Sequence, residues 1–105
     1  MTLTINAPPA AAAPVISSLN PAKLVRSNSY QSLAINGSGF QSGSGLQIVI
    51  TYPGGTTTVP STAIQFVSSA QLKLSLNVGT IARTLTFQVI DPNGQKSNTV
   101  SLPVQ

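Results

Sequence analysis

From Pro14 onward the apolar residues of this chain recur at nearly every second position. Leu33 and Ile35 alternate with Ser32, Ala34 and Asn36, and Leu46, Ile48 and Ile50 with Gln47, Val49 and Thr51. Ile64 and Phe66 follow, then Leu72, Leu74 and Leu76 around Lys73 and Ser75, then Leu85, Phe87 and Val89 around Thr86 and Gln88. In an extended strand, successive side chains point to opposite faces, so each run presents one dry and one wet surface. No segment carries a convincing helical stripe.

Turn signals separate the runs at short spacing: "NGSG", "YPGG", "DPNG" and the Pro60–Ser61 break. The 105 residues suffice for one domain with one hydrophobic core. About seven short strands on a single sheet would leave an apolar face in water. The pattern therefore predicts an all-β fold, a two-sheet antiparallel β-sandwich. The alternation places Phe40, Phe66 and Phe87 in the core and leaves Tyr30 and Tyr52 outside. Pro103, which cannot donate to a ladder, fits an edge or terminal strand.

The stretch "INGSGFQSGSG", residues 35–45, holds four glycines within nine residues around a single aromatic. Once the strand ending at Asn36 is complete, the chain must cross toward the second sheet, and glycine reaches backbone angles that a side chain penalises. Gly37 and Gly39 are expected to shape that bend, and Phe40 to plug the end of the core. A phosphate-binding loop does not fit, because no Lys-Ser or Lys-Thr follows and the chain runs on into the strand-like "LQIVITY".

Together "PVISSLNP" (14–21), "SLAINGSGF" (32–40), "IQFVSSAQLKLSL" (64–76) and "LTFQVIDPNGQKSN" (85–98) resemble an IPT/TIG domain. This is the immunoglobulin-like, E-set fold shared by bacterial surface proteins, plexin-type receptors and some transcription factors. The resemblance covers residues 14–105. It implies a spacer, stalk unit or interaction module, and it carries no residue-specific binding role to this chain.

Chemistry is sparse. The chain has no histidine and no cysteine, and Asp91 is its sole acidic residue. A Ser-His-Asp or Cys-His site, a carboxylate pair for glycoside hydrolysis and a zinc site are thereby excluded within it. No enzyme, metal or other cofactor is expected. Calcium at "DPNG" would want more carboxylates. A Lys–Asn isopeptide bond would need Asp91 as its assisting acid, but the sequence assigns that residue to the turn: Asp91 begins it by bonding nearby amides, and Asn93 and Gly94 supply the reversal. Asn36-Gly37-Ser38 matches a glycosylation acceptor pattern, which its turn role explains without a glycan.

The net charge of +4 comes from Lys23, Arg26, Lys73, Arg83 and Lys96 against Asp91. Scattered along the chain, these cations read as solvated charges at sheet rims and in loops rather than as a nucleic-acid surface. The one ligand-contact reading concerns sugars, which bind to exposed aromatic faces. Tyr52 beside "PGG" and Tyr30 in "RSNSYQ" are its candidates.

At the start of the chain, "TLTIN" (2–6) alternates like a strand and "APPAAAAP" (7–14) reads as a linker. Residues 1–13 are thus expected to be the strand remnant of a preceding domain plus its linker, and 14–105 the domain itself. The 14 Ser and 11 Thr, with only 6% charged residues, suit an extracellular or cell-surface setting, any export signal lying outside this chain. No apolar run reaches the ~18 residues of a membrane span. The sequence thus predicts a noncatalytic module of a larger bacterial exported protein, monomeric in isolation. Its partners would be neighbouring domains, another protein or a polysaccharide. The alternative is an accessory carbohydrate-binding module of a polysaccharide-acting enzyme.

Overall fold

The computed structural model describes residues 13–105. The strand remnant and most of the linker expected at 1–13 lie outside the described residues. Eight strands form two four-stranded antiparallel sheets packed face to face, the predicted immunoglobulin-like sandwich. One sheet has the order β1-β2-β6-β5, formed by Val15–Asn20, Gln31–Ser38, Gln71–Leu76 and Gln65–Ser68. The other has the order β4-β3-β7-β8, formed by Gly55–Val59, Gln47–Tyr52, Arg83–Ile90 and Val100–Val104. The only helical element among the described residues is a 3-10 turn, Ser61–Ala63.

The alternating residues meet where expected. Leu33 and Ile35 of β2, Leu72 and Leu74 of β6, Ile48 and Ile50 of β3, and Leu85, Phe87 and Val89 of β7 are all buried in one core. In β1 the buried residues are Ile16 and Leu19, three apart rather than two. A bulge between Ile16 and Ser18 takes up the extra residue, so both side chains still face inward.

The described residues hold eight strands, in keeping with the about seven expected; the one without a sequence signal, β4, reads "GTTTV", lacks an apolar alternation, and follows the "PGG" turn to pair with β3. Two expectations need correction here. First, β2 continues through Gly37 to Ser38 instead of ending at Asn36. Second, Phe66 is 38% exposed and outside the core. It lies on edge strand β5, which is bulged between Phe66 and Ser68 and has no buried residue, while Ile64 just before the strand occupies the core.

After the cis Asn20–Pro21 peptide the chain leaves the first sheet, and Leu24 bridges in parallel to Val104 of β8 in the other. The Leu24 amide donates to Pro103 O and the Gln105 amide to Leu24 O. Consequently the sandwich has two distinct poles. β1 starts at one, with Val15 beside the end of β2, and β8 ends at the other, with Val104 beside the start of β7.

Candidate functional site

The pole where β1 begins is closed by backbone and polar side chains. Gly37 sits inside β2 opposite Ile16, and a Cβ there would collide with Val15 O. Its role is close approach of two strands, not the bend expected of it. The bend falls at Gly39, with φ of 74°, and Phe40 then enters the core at 2% exposure. The Phe40 amide donates to Ser69 O at 3.0 Å, fixing the plug to the β5–β6 turn. Gly43 and Gly45 leave room for Pro92, which a Cβ at either position would meet at 2.9–3.1 Å. The cluster of glycines thus packs bare backbone against the "DPNG" turn.

That turn is closed by backbone, with the Gly94 amide donating to Asp91 O and the Asp91 amide to Gln95 O. Gly94 adopts φ of 89°, and Asn93 Oδ1 accepts from the Gln95 amide. The Asp91 carboxyl does not serve its own turn, contrary to the sequence reading. It is 1% exposed, and Oδ1 accepts from the Gln41 amide at 3.2 Å, tying the glycine loop to the turn. Its Oδ2 is buried without a hydrogen-bond partner. Burial pushes the carboxyl above its ordinary range, partly offset by the Gln41 hydrogen bond. Lys23, Lys73 and Lys96 are all exposed, so no lysine is buried beside this acid as an isopeptide bond would require.

Two residues with the largest part in this pole, Ser97 and Asn98, received no separate role in the sequence reading. Ser97 Oγ accepts from the Val89 amide and donates to Asn98 O, both at 2.8 Å. The Asn98 amide group accepts from Ile16 N at 2.8 Å and donates to Ile16 O at 3.0 Å, linking the edge of β1 to the segment leading into β8. Short polar residues three and four positions beyond an Asn-Gly turn are the available signal.

The opposite pole is open. Between the ends of β6 and β3 and the start of β7 lies a cavity of about 310 Å³. Ile50, Leu76, Val78 and Leu85 supply its apolar lining, and Tyr52, Thr57, Asn77 and Arg83 its polar part. The Arg83 guanidinium lies 5.9 Å from the centroid of the Tyr52 ring, within cation–π range. A Cβ on Gly55 would come within 3.2 Å of the same ring. Tyr52 is therefore half-buried and packed, while Tyr30, 75% exposed, stands just before β2 at the same pole, outside the cavity lining.

No protein-family model matches this chain, and no curated protein matches it. The site must therefore be read from its own chemistry. Among the described residues no cluster of three or more His, Cys, Asp or Glu exists, and no helix is long and apolar enough to cross a membrane.

The cations prove less scattered in space than in sequence. The Arg26 amide donates to Gln105 O, the Ser27 amide to Gly79 O, and Arg83 pairs with Val104, which Leu24 also bridges. Lys23, Arg26 and Arg83 thus gather at the open pole, whereas Asp91 lies at the closed one. Three of the six exposed large apolar residues, Val25, Tyr30 and Ile81, stand on loops at the open pole.

Proposed function

We infer that residues 14–105 form a noncatalytic, IPT/TIG-type immunoglobulin-like module of a larger exported or cell-surface protein, acting as a spacer or interaction unit between neighbouring domains. The observation that supports it is the direction of the outer strands: β1 starts at one pole, β8 ends at the other, and units joined in series would lie end to end. An eight-residue strand such as β7 spans about 26 Å at ~3.3 Å per residue, which sets the scale of one unit. The lack of histidine, of cysteine and of a second carboxylate argues against catalysis in the module itself.

The saccharide-binding alternative draws less support. A stacking platform needs a free aromatic face; the Tyr52 ring lies against Gly55 with Arg83 over it, leaving Tyr30 alone.

Two copies of the chain fused in series should give, by small-angle X-ray scattering, a maximum dimension close to twice that of one copy. A compact side-by-side particle would overturn the spacer reading. Export is tested by the reading frame around this chain: flanking β-domains and an export signal are expected, and an uninterrupted cytosolic enzyme on both sides would refute it.

A further inference from the structure

We propose that the open pole is a docking site for an acidic segment of a partner protein, an apolar side chain entering the cavity and an adjoining carboxylate pairing with Arg83. This rests on the interaction-unit arm of the function inferred above and names the partner's chemistry.

Size, lining and charge each restrict the occupant. At about 310 Å³ the cavity lies at the lower limit of the roughly 300–1,000 Å³ of small-molecule clefts, suiting one anchoring side chain better than a whole cofactor. Its floor of Ile50, Leu76, Val78 and Leu85 offers apolar surface to an apolar anchor. Arg83 is half-buried, held over Tyr52, and its Nε reaches Ile81 O at 3.5 Å. This orders the guanidinium at the rim before a partner arrives, and ordering beforehand lowers the entropic cost of binding.

Charge complementarity selects an acidic partner. Lys23, Arg26 and Arg83 stand at this pole, and the chain's sole acidic side chain lies at the other. Val25, Tyr30 and Ile81 add exposed apolar area on the surrounding loops. Arginine and tyrosine beside a pocket are residue types enriched at protein-binding hot spots. Nucleic acid fits less well, since a phosphate backbone has no apolar anchor for the floor.

The test uses the full chain and two blocked tetrapeptides, Ala-Leu-Asp-Ala and Ala-Leu-Asn-Ala, followed by amide correlation NMR. Both should perturb residues 50–52, 76–79 and 83–85, with dissociation constants of about 1–10 mM expected of a single anchor. The acidic peptide should bind about two- to five-fold tighter, the range of one half-exposed ion pair. Arg83→Gln should abolish that preference and Arg83→Lys should retain part of it, which separates charge from any loss of packing on Tyr52. Equal binding of the two peptides, perturbations centred elsewhere, or none at tens of millimolar would overturn the proposal. Displacement of the acidic peptide by oligothymidylate would replace it with a nucleic-acid surface. None of these outcomes touches the spacer reading, which stands or falls on the scattering of the fused copies.

Discussion

Asn98 offers the sharpest test of how the two sheets are held together. Its side-chain amide makes a donor–acceptor pair with the backbone of Ile16, at 2.8 and 3.0 Å, next to the bulge of an edge strand. On the far side of β1 these Ile16 groups have no β-ladder neighbour, so Asn98 substitutes for a missing strand. Replacing Asn98 by Ala removes both bonds. A net contribution near 1 kcal/mol for each neutral hydrogen bond gives an expected loss of about 2 kcal/mol. Water reaching the partly exposed site keeps the figure from rising to the full cost of two buried, unpaired groups.

Urea denaturation measures this directly, with an unchanged slope and a midpoint about 1–2 M lower, given the slope of a small domain. Asn98→Asp refines the test. At neutral pH one carboxylate oxygen still accepts from the Ile16 amide, but the other opposes Ile16 O, so this variant should lose at least as much as Asn98→Ala. Protonation at low pH supplies a donor and should recover part of the loss. A cost below about 0.5 kcal/mol for the alanine variant, or an aspartate variant as stable as wild type at neutral pH, would refute the role given to this amide.

Gly37→Ala should separate β1 from β2, because the added Cβ would collide with backbone at Val15 O, and a backbone atom in a paired strand has no rotamer to move into. A loss of roughly 3 kcal/mol or more is expected, against about 1 kcal/mol for Gly54→Ala, whose Cβ would meet nothing and whose cost is conformational alone; thermal unfolding of the pair checks the ranking. Asp91 predicts an unusual pH dependence. Burial raises its folded value above the ordinary 3.8, so the stabilising effect of holding a proton is fully present below that value and is lost as pH rises through the folded one. Stability in urea should therefore increase on acidification through this window, and Asp91→Asn should flatten the profile. A wild-type profile that falls on acidification would contradict it.

The legibility of this fold in its sequence varied from element to element for identifiable reasons. Strands β2, β3, β6 and β7 carry strict alternation because each has one face in the core, and their register follows from it. β4 escaped notice because an edge strand of threonines needs no apolar phase; its existence depends on the turn before it and on the partner beside it. Phe66 differs for the complementary reason: it pairs with the core residue Leu72 and so keeps the inward phase that alternation assigns it, but β5 is an edge strand without a buried residue, and an edge position leaves the ring 38% exposed. At the closed pole, Gly39 and Phe40 have the roles their types suggest. The placement of Asp91 does not follow from the turn rules, since its partner, Gln41, is fifty residues away. The open pole was the least legible. Arg83 and Tyr52 meet only because β7 and β3 pair antiparallel, and Lys23 and Arg26 join them only because the chain changes sheets after Pro21.

The difference between the poles is itself informative about how such a unit works. At the closed pole Asn98, Ser97, Asp91 and the glycine loop use side-chain and backbone polar groups to fasten one sheet to the other, with Phe40 filling the space between. Those residues are consumed by the fold and have little left to offer a partner. At the open pole a cavity lies between Leu76 and Leu85, and polar groups there tie a loop to a strand start, as in Gln31 Nε2 to Val25 O, or loop to loop, as in the Ser27 amide to Gly79 O. Arg83 and the exposed Val25, Tyr30 and Ile81 remain available. Rigidity concentrated at one end therefore permits adaptability at the other: substitutions on the 21–30 and 77–82 loops can alter what the open pole meets without weakening the ties that keep the sandwich closed.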